Sequence, residues 1–179
     1  LCQSITFRLH DSVPKSVIEQ WHEELTVNMN SLASTVDGIL RQRFMDYEDA
    51  GHGRCWLRNP QIATSVEDAL LYSDGERYRL LAWCVMPNHA HVLIETLLSY
   101  PLSQVVHSWK SFTAKQANTL LGRNGIFWVR EYYDRFIRND RHLTEAINYI
   151  EQNPVKAGLV QNAKDWRFSS AYHDRRRLL

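Results

Sequence analysis

"RYRLLAWCVMPNHAHVLIE", residues 77–95, is the stretch that decides how this chain folds. Its first half, Arg77 to Met86, is a strongly apolar run of strand length. Pro87-Asn88 breaks that run, because proline lacks an N–H donor and asparagine favours turns. His89 to Glu95 resumes an extended pattern, so the two halves read as an antiparallel hairpin. In the second strand, residues two apart share a face. Ala90, Val92 and Ile94 form the side that packs, and His89, His91 and Glu95 point the other way. Two neutral imidazoles side by side can ligate one divalent metal ion, which needs further oxygen ligands. Two polar residues on a half-buried strand have the same spacing, so the pair needs support from elsewhere in the chain.

Working outward, "QSITFRLH" (3–10) alternates apolar and polar residues as a first strand. Asp11, Ser12 and Pro14 open a helix with Val17, Ile18, Trp21 and Leu25 on one face. Residues 36–48 continue helical through Ile39, Leu40, Phe44 and Tyr47, and "DAGHGRCW" (49–56) is a loop. "SVEDALLYSDG" reads as a short helix ending at Gly75. Ser103 to Leu121 is helical, with Val105, Val106, Trp109, Phe112 and Ala117 as core candidates. "IFWVREYYDRFI" (126–137) is extended and aromatic. Asn139 or Asp140 caps a last helix through about Asn153, terminated by Pro154 and Gly158. This order predicts an α+β fold: an antiparallel sheet with helices packed mainly on one face. No repeat or linker interrupts it, so residues 1–179 are expected to form a single domain with a basic C-terminal tail.

Composition narrows the function classes. No run approaches the roughly 18 to 20 apolar residues of a membrane helix. Cys2, Cys55 and Cys84 are odd in number and far apart, which suits neither a disulfide framework nor a cysteine zinc site. With no secretory leader before the first strand, cytoplasmic residence is expected. The net charge of +1 conceals an asymmetry. Residues 123–179 carry 11 Lys+Arg against 7 Asp+Glu, and residues 1–122 carry 10 against 13. The basic third includes "REYYDRFIRNDR", where arginines interleave with aromatics, a mixture that meets both phosphates and bases.

The last helix supplies the chemistry that the histidines lack. In "HLTEAINYIEQNPVKAG", Leu143, Ala146, Ile147 and Ile150 form an apolar stripe with Tyr149 at its edge. Asn153 lies one turn on, on the same side. Tyr149 is either core filler or a nucleophile. A phenol with a pKa of about 10 needs a nearby base or a metal-polarised phosphate before it attacks. Asn153 could offer a metal an amide oxygen, or simply belong to a turn before proline.

Five segments in order, "AWCVMPNHAHVLIE", "SFTAK", "EYYDRFIRND", "YIEQNPVKAGLV" and "DWRFSS", resemble the REP-associated tyrosine transposases. These are bacterial relatives of the single-tyrosine HUH insertion-sequence transposases. The resemblance runs from about Arg79 to Ser170, and "ITFRLHDSVP" near the start is also similar. It implies a ferredoxin-like antiparallel sheet with the HUH motif on a central strand. His89 and His91 would then be the metal-binding pair, and Tyr149 the nucleophile on a single-stranded DNA phosphate, leaving a 5′-phosphotyrosine and a 3′-hydroxyl. Asn153 stands where insertion-sequence relatives carry a glutamine as third ligand, with Gln152 as the adjacent alternative. Mg²⁺ or Mn²⁺ would be the ion, and a palindromic REP-type hairpin with a guide tetranucleotide the DNA. Ala90 departs from the bulky apolar residue usual between the histidines. Tyr132 and Tyr133 rival Tyr149 by residue type alone, but no amide ligand lies four residues after them.

The resemblance favours a monomer, with the tyrosine helix serving its own chain, over the dimer of the insertion-sequence relatives. For DNA contact the candidates are Arg8, Lys110, Lys115, Arg130, Arg135, Arg138 and Arg141, with Trp109 and Trp128 for stacking. "DRRRLL" (174–179) is a candidate phosphate-binding tail. The expected activity is metal-dependent nicking and rejoining of single-stranded DNA. The alternatives are a non-catalytic hairpin-binding protein and a metal hydrolase using water.

Overall fold

The structure is a computed structural model that describes residues 1–28, 33–97 and 99–173; the basic segment 174–179 lies outside them. Four strands form one antiparallel sheet: β1 (Cys2–Arg8), β2 (Tyr78–Val85), β3 (His89–Thr96) and β4 (Tyr133–Phe136), in the order β2-β3-β1-β4. The long helices are α1 (Lys15–Asn28), α2 (Ala33–Asp49), α3 (Pro60–Tyr72), α4 (Leu102–Leu120) and α5 (Asp140–Lys156), and a single turn, α6 (Ser170–His173), closes the described chain. Taking α3 and α4 as the crossovers, the frame is the ferredoxin-like β-α-β-β-α-β arrangement. The expected α+β fold is therefore present, with β3 and β1 at its centre.

The alternation read from the hairpin holds in space. Ile5 and Phe7 of β1, Trp83 and Val85 of β2, and Ala90, Val92 and Ile94 of β3 share a core with Val66 and Leu70 of α3 and Val105, Val106 and Trp109 of α4. Each such side chain, fully buried, contributes roughly 1.5–3 kcal/mol. The opposite face is covered too. Ala82, Cys84 and Leu93 pack against Ala146 and Ile150 of α5, and Phe44 of α2 lies under the Arg8 guanidinium. Helices stand on both faces because six consecutive residues of β3, His89 to Ile94, are buried, and no such strand can leave one side to solvent.

Some boundaries differ from the sequence reading for local reasons. Helix α3 begins at Pro60, five residues before the expected Ser65, where Asn59 caps it by accepting from Gln61 N at 3.0 Å and proline suits the first turn. Helix α5 is capped by Asn139, which accepts from His142 N at 2.9 Å. It runs past Pro154 to Lys156, and the stop is Gly158, at φ 69°. Proline in the final turn forfeits one backbone hydrogen bond, but the packed face of α5 outweighs that loss. In 126–137 only Tyr133–Phe136 pairs as a strand; the earlier part follows β1 through Val129 N to Arg8 O (3.0 Å) and His10 N to Phe127 O (2.9 Å). Phe112 is half-exposed rather than core. Among the described residues, no helix is long and apolar enough to cross a membrane.

Candidate active site on the sheet face

The site begins at the hairpin turn. Met86 N donates to His89 O at 2.8 Å, and Asn88 O receives Leu9 N at 2.8 Å, tying the turn to β1. The fully buried Asn88 side chain donates through Nδ2 to His52 O at 2.9 Å. Its Oδ1 therefore faces His89 Nδ1, 2.7 Å away. An amide oxygen only accepts, so His89 carries its proton on Nδ1 and turns the Nε2 lone pair into the site. Across the β1–β3 ladder, Thr6 Oγ1 lies 2.8 Å from His91 Nδ1. The two Nε2 atoms converge to 2.9 Å.

Two helices bring oxygen donors to that point. Asp49, the last residue of α2, places Oδ1 3.6 Å from His89 Nε2. Asn153 on α5 places its amide nitrogen 3.1 Å from His91 Nε2. Asp49 Oδ1 and Asn153 Oδ1 are both buried with no hydrogen-bond partner among the described residues. Orphaned buried oxygens are costly, and a divalent cation would satisfy both. One ligand atom from each of Asp49, His89 and His91 lies within 4.8 Å of the others, and two neutral imidazoles with carboxylate and amide oxygens make a donor set for a divalent ion. The residues present fit a metal.

Protonation states agree with that fit. Burial holds His89 well below its usual range, and burial with the Lys156 ammonium brings His91 down to about 3. Both rings are neutral near pH 7, so the contact between His89 and Asp49 is not an ion pair. Burial raises the Asp49 carboxyl to about 6 against the pull of Lys156, and raises Glu48 to about 7 against the pull of Arg8. Of these two carboxyls Asp49 sits beside His89 and Glu48 beside Arg8.

Tyr149 is half-buried, its ring centroid 5.5 Å from that of His91 and tilted by 75°. Lys156 Nζ lies 5.4 Å from the tyrosine ring centroid. Tyr149, Asn153 and Lys156 follow at i, i+4 and i+7, one helix face turned to the histidines. Burial raises the Tyr149 phenol well above its usual range, and the Asp49 carboxylate adds to the shift. Gln152, the alternative to Asn153, is exposed. Tyr133 shares the sheet face of His91 but lies beyond Thr6, on edge strand β4.

The basic candidates scatter. Arg8 is 8% exposed, with Nε 3.4 Å from Glu48 Oε1 and Nη1 unpartnered among the described residues. Lys110 Nζ is taken up by the carbonyls of Val129 and Arg130, both at 2.6 Å. Lys115, Arg130, Arg135 and Arg138 are exposed, and Arg141 pairs with Glu145 at 2.8 Å. Trp109 and Trp128 are core residues that donate to Tyr78 Oη and Thr113 Oγ1, both at 2.9 Å, so neither offers a ring to a base. The sequence reading missed Asp49, Glu48, Thr6 and Asn88. Only Asn88, set between proline and the first histidine, stood near a visible signal.

Residues 71–153, which include the hairpin and α5 as far as Asn153, match the family model described as transposase IS200 like. A REP-associated tyrosine transposase of Escherichia coli is 30% identical over 122 residues, 65% of this chain and 72% of that protein. A Haemophilus influenzae protein that carries the same family name is 29% identical over 107 residues, 54% of this chain and 61% of its own length. The chain belongs to the REP-associated tyrosine transposase family. A solved REP-associated tyrosine transposase, bound to a REP hairpin, shares the fold over 99% of this chain and 81% of its own, with a TM-score of 0.59 and 19% identity.

Proposed function

We propose that this chain nicks and rejoins single-stranded DNA at REP-type palindromic hairpins, with Tyr149 as nucleophile. The observation that carries the reading is a single helix face on which Tyr149 and Asn153 both meet the paired histidines. His89, His91, Asp49 and Asn153 would hold Mg²⁺ or Mn²⁺. When bound, such an ion neutralises charge on the phosphate oxygens and stabilises the transition state. Tyr149 Oη attacks the phosphorus, forming the O–P bond while the bond from phosphorus to the 3′ oxygen breaks. The phenol loses one proton and the departing 3′-hydroxyl gains one, so the step needs no outside co-reactant. Reversal with a new 3′-hydroxyl rejoins the strand.

Histidines and tyrosine of one chain form the site together, which favours a monomer. The relative solved with a REP hairpin supports a hairpin substrate. The exposed Lys115, Arg130, Arg135 and Arg138, with Arg141, would meet its phosphates, while Arg8 and Lys110 act from within the fold. The test incubates the protein with a labelled hairpin oligonucleotide and Mg²⁺ or Mn²⁺, then resolves the products on a denaturing protein gel. A covalent band, lost in Tyr149→Phe and with chelator, is expected. Hairpin binding with no adduct under either metal would leave a binding protein without catalysis. Cleavage without an adduct would make water the nucleophile.

A further inference from the structure

Beyond the end of β1 lies a cleft of about 410 Å³, lined by Asp11, Arg54, Trp56, Arg123 and Ile126 among others. Its floor is the half-buried Trp56, whose inner edge packs on the main core. The Arg54 guanidinium lies over that indole, 5.5 Å from its centroid, and the Arg123 guanidinium 5.9 Å from it, so a base that stacks there displaces the arginines toward its flanking phosphates. Arg123 donates to Ile126 O at 3.0 Å. Neither arginine is ion-paired among the described residues, and the two outnumber Asp11, the one acid in the lining. Asp11 Oδ2 receives Arg54 N at 3.0 Å, and its other oxygen is left to accept. Ile126 adds an exposed apolar wall.

The cleft is joined to the metal-ligand cluster. Gly53 presses on the backbone of Asp11, where a Cβ would come within 2.5 Å of the Asp11 carbonyl. Next to it, His52 O holds the Asn88 amide that orients His89. Leu57 N donates to Pro87 O at 3.1 Å, tying the far side of the cleft to the hairpin turn. Arg54 lies only five positions after Asp49, a backbone span of at most about 18 Å. A DNA strand crossing the histidines reaches the cleft within a few nucleotides.

We infer that this cleft is a nucleotide subsite that captures one unstacked base of the single-stranded DNA beside the cleavage point. The inference rests on the proposed DNA-nicking function and adds a position that reads the strand. Trp56 supplies the stacking platform, which the buried Trp109 and Trp128 do not. Arg54 and Arg123 take the phosphates on either side of the base. Asp11 accepts from an N–H group on its edge, as cytosine N4, adenine N6, guanine N1 and N2 or thymine N3 present one, and guanine, with two adjacent donors and no acceptor between them, matches a carboxylate best. A duplex does not enter, because its bases are stacked and their edges occupied.

The test uses the full chain and fluorescence anisotropy with two synthetic DNA probes, a stem–loop with single-stranded flanks and the same stem–loop without them. Trp56→Leu, and separately the pair Arg54→Ala with Arg123→Ala, are each expected to weaken the flanked probe about tenfold and leave the bare stem–loop unchanged. The arginine pair, Arg54 exposed and Arg123 half-buried, keeps the test informative if Trp56→Leu fails to fold. An abasic replacement at one flank position should cost wild type about as much and cost Trp56→Leu nothing further. Unchanged affinity for the flanked probe overturns the subsite. Equal losses on both probes also overturn it, and place the duplex backbone in the cleft instead. Variants that lose nothing while the wild type binds and forms its tyrosine adduct sink the subsite alone. A wild type that binds neither probe sinks the DNA-nicking reading as well.

Discussion

Asn88 Oδ1 lies 2.7 Å from His89 Nδ1, and the same amide is held by His52 O, so one buried asparagine sets which nitrogen of His89 faces the site. Asn88→Ala is expected to weaken Mn²⁺ binding about 10- to 100-fold by freeing the ring to choose the other tautomer. Isothermal titration of the two proteins measures this. Equal affinities would mean that Asn88 only fills the turn.

Tyr149→Phe removes the attacking oxygen and keeps the ring that packs beside His91. Hairpin affinity should stay within about twofold of wild type, and the covalent adduct should vanish. A phenylalanine variant that still forms adducts would move the nucleophile to another tyrosine.

Asp49 holds its proton up to about pH 6 without metal, chiefly through burial. A cation must displace that proton, so Mn²⁺ affinity is expected to rise as pH climbs through 6 and then level off. The neutral Asp49→Asn should bind more weakly at pH 7 and lose that part of the pH slope. An unaltered slope would exclude Asp49 from the ligand set.

Glu48 offers a stability test in chelator. Its folded-state pKa is raised to about 7, from an ordinary value of 4.5. Below about 4.5 the carboxyl is protonated in both folded and unfolded chains, and its state favours neither. Between 4.5 and 7 the folded chain keeps a proton that the unfolded chain has released, so this group costs stability as pH rises. Glu48→Gln should therefore gain on wild type between pH 5 and 8, by on the order of 2–3 kcal/mol, despite losing the Arg8 contact. Thermal melts at the two pH values decide it, and parallel behaviour would refute the shift.

Arg135 and Arg138 are exposed at and just beyond β4. Replacing both with alanine should weaken hairpin binding and shallow its salt dependence by about one unit of slope per arginine. A salt slope identical to wild type would place the DNA elsewhere on the surface.

Much of this was open to a reader of the chain alone. The Pro87-Asn88 break between two extended runs, and the period-two alternation after it, put His89 and His91 on one face and Ala90, Val92 and Ile94 on the other. The i to i+4 spacing put Tyr149 and Asn153 on one side of α5. These are short-range facts, dictated by backbone geometry within one element. Which of Asn153 and Gln152 faces the histidines needed the packed helix, since adjacent residues differ by about a hundred degrees around the axis and only Asn153 is turned to His91.

Local rules could not say which elements meet. Asp49 sits forty residues before His89, at the end of a helix with ordinary acidic composition, and nothing within α2 marks it as a ligand. It becomes a candidate only in the folded chain, where Phe44 of the same helix packs beneath Arg8 of β1 and Asp49 Oδ1 comes 3.6 Å from His89 Nε2. The fate of each cation and aromatic was likewise decided by packing: Lys110 by the carbonyls that needed its donors, Trp109 and Trp128 by the apolar volume between α4 and the sheet. The sequence by itself determined the hairpin, the histidine face and the tyrosine turn, because each rests on the periodicity of one element. Tertiary structure alone decided the Asp49 and Asn88 partners and the Trp56 cleft, because long-range burial chooses neighbours that no local spacing encodes.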